Sequence, residues 1–347
     1  MVPLSGDIYG GSPEEKPLLS SFAVGMACMS NSQQRSMPTQ FNVIVASYNQ
    51  ARFLRDAVSS IFGQSLQDLE VIIVDDGSTD GTLALIDELQ MEHPGRIEAV
   101  FHKGQQNQGL VRTYQLGISR CTADYLAFLE PDDLWGPRYL ETKAAIFRNN
   151  PEVDVVFSPY RILREGRWGR EMMLRQWILH RRLAKEQRFD NFGNLLRKNN
   201  IATFSSFAVR RSMMLDIPEI YDQRALFFDW WMLLCLSSSG LFHMDTQSHV
   251  VWRQHNRSAL RERSFQAHKQ EVIDFYVNAY RYFQEKFEAL NAPRQEHFLR
   301  EFEKLPLFID FYRSPNFKRF SALFRRDPIW ALDSLASYIV NSHKHGS

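Results

Sequence analysis

From Phe41 onward the chain alternates short apolar runs with stretches whose apolar residues recur at helical spacing. The runs 41–46 (FNVIVA), 69–74 (LEVIIV) and 125–129 (YLAFL) are rich in β-branched, aromatic and leucine residues, and they read as buried strands. A further strand is expected over 97–101. Between these runs, residues 51–62, 81–91 and about 109–121 read as helices. Leu140 to Phe147 continues the pattern as a helix and Val153 to Phe157 as a strand. Strands alternating with helices predict βαβ units and an α/β fold built on a mainly parallel sheet.

After Tyr160 the alternation stops. Residues 161–200 are crowded with Arg and Lys and predict a helical insertion. Residues 203–211 read as a strand, followed by a helix carrying Asp229 and a closing apolar stretch over 250–253. From about 264 to 343 apolar residues return at helical spacing, among them Val272, Phe275, Tyr276, Ala279, Tyr280 and Phe283. Residues 1–39 hold Gly, Pro, Ser and Gln without periodicity and read as a flexible leader. The expected organisation is thus a leader over 1–39, an α/β domain over 40–260 and a helical C-terminal region over 261–347.

Two acidic clusters each follow a predicted strand: Asp75-Asp76-Gly77-Ser78-Thr79-Asp80, and Glu130-Pro131-Asp132-Asp133. In open α/β sheets ligands bind beyond the carboxyl ends of the strands, so these carboxylates are expected to face a crevice. Crowded carboxylates repel unless a cation or hydrogen-bond donors compensate, and a divalent metal bridging to a diphosphate does so. The first cluster also has an ordinary reading, since Asp-Gly favours turns and Ser, Thr or Asp caps the next helix. Asp229 stands alone in Phe227-Phe228-Asp229-Trp230-Trp231, where an acid is either a satisfied structural group or a functional carboxylate with a raised pKa.

The opening strand with Ser47-Tyr48-Asn49, the segment 53–65, Asp75-Asp76-Gly77-Ser78-Thr79-Asp80, Asn107-Gln108-Gly109, Glu130-Pro131-Asp132-Asp133 and Phe228-Asp229-Trp230-Trp231 together resemble the family 2 glycosyltransferases of the GT-A fold. The resemblance runs from Phe41 to Ser258. It implies a Rossmann-like sheet flanked by helices and an inverting transfer of sugar from a nucleoside-diphosphate sugar, a UDP-sugar first, to a glycan, lipid-linked or protein acceptor. It implies that Asp76 or Asp75 accepts from the nucleotide base beside Ser47 and Tyr48, and that Arg112 approaches the diphosphate. It further implies that Asp132 contacts the nucleotide sugar, that Asp132, Asp133, Glu130 and His255 surround Mn2+ or Mg2+, and that Asp229 is the general base.

The chain departs from the family pattern at three places. Glu130 stands where an aspartate is usual, Phe228 replaces a glutamate before the base, and Thr113-Tyr114-Gln115 replaces a common Ala-Arg-Asn. Glu130 and Phe228 keep open a second reading, a binding or scaffold protein on a degenerate glycosyltransferase frame. A nucleotidyltransferase is the third, although no Gly-rich phosphate loop with a nearby basic residue accompanies the first strand.

Composition narrows the picture only locally. The 347 residues are 44% hydrophobic with a formal net charge of +1, which allows a large core and gives no global signal for nucleic acid. Cys28, Cys121 and Cys235 suggest neither a disulfide framework nor a zinc site. With no apolar run of bilayer-spanning length, a cytoplasmic protein with at most a peripheral membrane contact is expected. The basic residues Arg161, Arg164, Arg167, Arg170, Arg175, Arg181, Arg182, Lys185 and Arg188, with Trp168 and Trp177 among them, read either as a solvated face or as a surface for anionic lipid or phosphate. Phe317-Lys318-Arg319-Phe320 and Phe324-Arg325-Arg326 read the same two ways.

Overall fold

The computed structural model describes residues 40–164, 167–168, 181, 183–185, 188–201, 203–214, 227–255, 265–328 and 331. The first half alternates as the pattern predicts: β1 Phe41–Ser47, α1 Ala51–Phe62, β2 Leu69–Asp75, α2 Thr82–Glu92, β3 Ile97–Phe101, α3 Leu110–Arg120 and β4 Tyr125–Phe128. Next come β5 Leu134–Trp135, α4 Tyr139–Asn149, β6 Val155–Phe157, β7 Tyr160–Arg164 and β8 Arg167–Trp168. The chain continues through α5 Phe192–Arg197, β9 Phe207–Arg210, α6 Phe228–Ser237, β10 Phe242–Met244 and β11 Val250–Gln254. The helices α7 Phe265–Glu285, α8 Ala292–Phe302, α9 Leu305–Arg313 and α10 Phe317–Arg326 follow.

Among the described residues, the main sheet has the order β10-β6-β9-β4-β1-β2-β3, and a smaller sheet has the order β5-β11-β7-β8. β4, β1, β2 and β3 run parallel in an unbroken row, and β9 lies antiparallel to both β4 and β6. Successive residues of β1 enter two different cores: Ile44 and Ala46 one, Val43 and Val45 the other. Helices covering both faces explain why the central strands are apolar throughout rather than alternating with polar residues.

The described start of the region after Tyr160 is strand where helix is expected. Tyr160–Arg164 and Arg167–Trp168 are strands of the smaller sheet, where β7 runs parallel to β11. Tyr160 and Ile162 bury their side chains between exposed or half-exposed neighbours, a two-residue period that the dense Arg content masks in the sequence. Among the described residues of that region, helix is found at Phe192–Arg197 and at Arg181 and Leu183. Arg170, Arg175, Trp177 and Arg182 lie outside the described residues, as do Cys28 and the leader.

The C-terminal helical stretch is divided at Pro293, Pro306 and Pro315, and Asn291 and Asn316 cap the helices that follow them. These helices share a core with the sheet. The reason lies in α6, which is apolar on all sides and so needs cover on all sides. Phe275 stacks on Trp230 with ring centroids 4.0 Å apart, and Phe283 packs in the same core as Trp231 and Ile44. No described helix is long and apolar enough to cross a membrane.

One buried ion pair ties α4 to the segment after β10. Lys143 and Asp245 are both excluded from solvent, with Nζ 2.8 Å from Oδ2. Burial opposes ionisation of Asp245, but Lys143 and the hydroxyls of Ser248 and Thr142 outweigh it and hold the carboxyl below its usual range. Burial lowers Lys143 to about 8 against the pull of Asp245. Removing one partner leaves a buried charge uncompensated, so Asp245→Asn is expected to lose roughly 3–5 kcal/mol of stability. Urea unfolding checks this: the double variant with Lys143→Met should lose less than the sum of the two singles.

Candidate active site

The register of the parallel strands assembles the site. Ser47 lies opposite Asp75, and Ile44 lies opposite Phe128. The segments leaving β1, β2 and β4 therefore share one rim, which carries Tyr48, Asp76 and Glu130. Ser47 is buried and its hydroxyl has no hydrogen-bond partner among the described residues, whereas Tyr48 is 47% exposed.

The two neighbouring aspartates have different surroundings. Asp75 closes its own turn, with Oδ1 accepting from the amides of Gly77 (3.0 Å) and Ser78 (2.8 Å) and Oδ2 from the Ser78 hydroxyl (2.5 Å). Asp76 reaches across to the loop before α3, where Oδ1 accepts from the Gln108 amide at 2.6 Å and Oδ2 from the Gly109 amide at 3.0 Å. His102 Nε2 lies 3.6 Å from Asp76 Oδ1. Asn49, at a positive φ of 54°, accepts from the Thr79 amide at 2.7 Å and ties the turn after β1 to that after β2. Arg112 is exposed on the first turn of α3 and donates to the Gln108 side chain at 2.9 Å.

Glu130 to Asp133 form a turn against the segment before β9. Asp133 is fully buried: Oδ2 accepts from Thr203 Oγ1 (3.0 Å) and Ser205 Oγ (2.6 Å), and Oδ1 from the Arg253 amide (3.1 Å). Burial and the Asp132 charge push its carboxyl up to about 8 against those three donors. Glu130 is pushed well above the carboxylate range by burial and then by Asp133, Asp132 and Asp229. Asp132 retains 21% exposure and meets His255 Nε2 at 3.0 Å, while the His255 ring stacks on Phe53 at 4.6 Å. Arg253 donates both terminal nitrogens to Asp56 Oδ2 at 3.0 Å and so holds the strand that carries His255.

Among the described residues no three of His, Cys, Asp and Glu converge as a ready metal cage. The donor set nevertheless suits a hard cation that keeps other oxygens, because magnesium commonly takes only one or two protein carboxylates beside substrate phosphates. Asp132 with His255 fits that description better than Asp133, whose two oxygens already serve three donors.

Asp229 occupies the first turn of α6. Its Oδ2 accepts from Asn199 Nδ2 at 3.0 Å, and Asn199 Oδ1 in turn accepts from the Ile201 amide at 3.0 Å. Burial pushes Asp229 up to about 6, opposed by the Trp230 amide and by Asn199. Its charge adds to the upward push on Glu130 and on Tyr114. Phe228 is core, within an aromatic group that stacks Tyr114 on Phe204 at 4.1 Å and Phe204 on Phe228 at 5.8 Å.

Sequence reasoning missed Asn199, Thr203, Ser205, Arg253 and Phe53 as supports of the site. The pairs Asn199-Asn200 and Ser205-Ser206 are the visible signal, since amides and hydroxyls inside an aromatic-rich segment need polar partners.

The mainly parallel sheet with helices on both faces, and acidic turns leaving neighbouring strands on one rim, define an α/β protein of GT-A architecture. The profile of glycosyl transferase family 2 matches residues 42–217, and the chain belongs to that family. It is 37% identical over 117 residues to an uncharacterized glycosyltransferase of Nostoc sp., covering 34% of this chain and 35% of that one. It is 32% identical over 126 residues to the chondroitin synthase of Escherichia coli, covering 36% and 18% of the two chains. The chain thus spans well under half the length of both relatives. Among solved structures, the mannosyltransferase PcManGT of Pyrobaculum calidifontis in complex with GDP-Man and Mn2+ matches with a TM-score of 0.53 at 15% identity, over 89% of this chain and 88% of that one. S. aureus TarS 1-349 in complex with UDP-GlcNAc matches with a TM-score of 0.50 at 15% identity, over 82% and 90%. At such identities the likeness is one of fold.

The rim has a steric requirement at Gly77. Its φ is +78°, and a Cβ there would sit 2.7 Å from the Gln105 carbonyl oxygen and 2.9 Å from the Asn107 amide nitrogen. Gly77→Ala therefore forces the loop held by Asp76 outward, at an expected cost of roughly 1–3 kcal/mol. Thermal unfolding should show the loss; a melting temperature equal to wild type would mean that the loop does not need this close approach.

Proposed function

We propose that this protein is an inverting glycosyltransferase that moves a sugar from a nucleoside-diphosphate sugar, a UDP-sugar in our reading, to an acceptor hydroxyl with the help of a divalent metal. The observation that supports the reading is the acidic turn Glu130–Asp133, which leaves β4 on the rim where ligands bind in open α/β sheets and meets His255 there through Asp132. Asp229 accepts the proton of the acceptor hydroxyl as its oxygen attacks the anomeric carbon; the bond from that carbon to the diphosphate oxygen breaks, and UDP leaves with the electron pair. One displacement inverts the anomeric centre. Asp132, with His255 behind it, would hold Mn2+ or Mg2+, which supplies charge stabilisation to the leaving diphosphate. Each carboxylate oxygen carries two lone pairs, so Asp76 can hold its loop and still accept from the imide N–H of uracil. Ser47 and Tyr48 border the same position. The acceptor is a glycan, a lipid-linked saccharide or a protein.

A degenerate scaffold is the second reading, favoured by Phe228 in the core where relatives carry a glutamate. Transfer or hydrolysis of UDP-sugars across a donor panel excludes it.

Asp132→Ala is expected to abolish the manganese-dependent part of UDP binding, as read by calorimetry, and CDP should bind wild type more weakly because cytosine N3 has no proton to donate. Unchanged UDP affinity in the variant would remove Asp132 from the metal site. CDP binding equal to UDP would remove uracil recognition.

Asp229→Asn should leave donor affinity within a few-fold and lower transfer by roughly 10²–10⁴, the range for loss of general-base catalysis. The base works ionised and burial sets its pKa near 6, so wild-type transfer should rise with pH through about 6 and then level off. Donor titration and a pH–rate profile on one preparation check both. Near wild-type turnover in the Asn variant would make Asp229 structural.

A further inference from the structure

The helix α10 is attached to the protein along one side. Asn316 caps it by accepting from the Arg319 amide at 2.9 Å, and Leu323 is its one buried residue. Phe320 packs partly against the core, 6.1 Å from Phe311. Phe317, Phe320 and Phe324 fall at positions i, i+3 and i+7, a single stripe along the helix. The middle of the stripe meets the core and both ends reach solvent: Phe317 is 84% exposed and Phe324 40%.

Basic residues border that stripe on one side. Lys318, Arg325 and Arg326 are exposed and Arg319 is half-exposed, and residues 311–326 contain no Asp or Glu. Arg319 donates to the Ser314 carbonyl at 2.9 Å and Arg326 pairs with Glu303, so these two are partly engaged on the protein. Lys318 and Arg325 flank the two exposed rings on a helical projection. A solvated basic face or a site for a soluble polyanion needs only the cations, and exposed phenylalanine rings add nothing to either. Cations beside protruding rings suit a surface that offers negative charge at its boundary and hydrocarbon a few ångströms deeper.

We propose that α10 is a membrane-surface contact: Phe317 and Phe324 enter the headgroup boundary of an anionic bilayer while Lys318 and Arg325 meet lipid phosphates. The contact is independent of the catalytic reading, and it places the protein at a lipid surface.

Flotation of the full chain with vesicles tests it, using phosphatidylcholine alone or mixed with phosphatidylglycerol. Wild type should float with the mixed vesicles, stay behind with phosphatidylcholine and be released by high salt. Lys318→Gln with Arg325→Gln should weaken partitioning by roughly five-fold per cation removed, about 25-fold together. Phe317→Ser with Phe324→Ser should weaken it while leaving retention on heparin unchanged, which separates a bilayer from a soluble polyanion. All four side chains are exposed, so the variants keep the core intact, and circular dichroism confirms that they fold. Absence of flotation by wild type, flotation unaffected by the serine pair, or equal loss of vesicle and heparin binding on that pair overturns the proposal.

Discussion

Like charges brought together by the parallel row β4-β1-β2 are the constraint on which the rest of the structure depends. Three neighbouring strands end on the same side, and the chain leaves each of them through hydroxyl, phenol or carboxyl side chains. Carboxylates this close, removed from most of the surrounding water, persist only with donors or a cation. The donors come from far along the chain: amides at 108 and 109 for Asp76, hydroxyls at 203 and 205 with the amide at 253 for Asp133, and Asn199 for Asp229. Satisfying the rim thus draws loops that are separate in sequence into one place. The acids that are candidates for chemistry also fasten the site together.

Asp229 depends on a second constraint, the apolar character of α6. A helix built as Phe-Asp-Trp-Trp-Met-Leu-Leu-Cys-Leu-Ser cannot present a side to water, and α7 to α9 cover what the sheet leaves open. The C-terminal helices therefore belong to the site's foundations. They also reach it through charge. Arg197 at the end of α5 contacts Glu301 at 2.8 Å, Lys304 contacts Asp327 at 2.9 Å, and the Tyr276 hydroxyl donates to the Arg197 carbonyl at 2.5 Å. Two residues beyond Arg197 is Asn199, which holds the Asp229 carboxylate.

Much of the first half was legible from residues 41–129 because each strand there is a continuous apolar run with a clear helical partner. Legibility fell where strands shortened or their period was hidden. β10 has three residues, too few for a pattern, and the alternation of β7 lies inside an arginine-rich stretch that reads as helix. The C-terminal helices were visible, yet their union with the main core was not, because periodicity tells which side of a helix is buried but not against what. For the candidate site, the acidic residues stood out by type and position. The division of labour between Asp75 and Asp76, or between Asp132 and Asp133, did not, since it depends on which amides and hydroxyls the fold brings to each carboxylate.

The departures from the family pattern have a common physical sense. Phe228 cannot be a glutamate here without placing a carboxylate in the stack formed by Tyr114, Phe204 and itself. Asn199 supplies from another segment a polar neighbour for Asp229, and a neutral amide orients the carboxylate without adding to the repulsion around it. Tyr114, in the segment where relatives commonly carry Ala-Arg-Asn, lies within the field of Glu130, Asp132, Asp133 and Asp229 and contributes no charge of its own. Under the proposed reading, the cation that balances those acids is then the metal that accompanies the donor. Binding of metal and of nucleotide sugar must in that case favour each other, because the metal supplies the positive charge that the diphosphate lacks among those acids, and the diphosphate supplies the metal with further oxygen ligands.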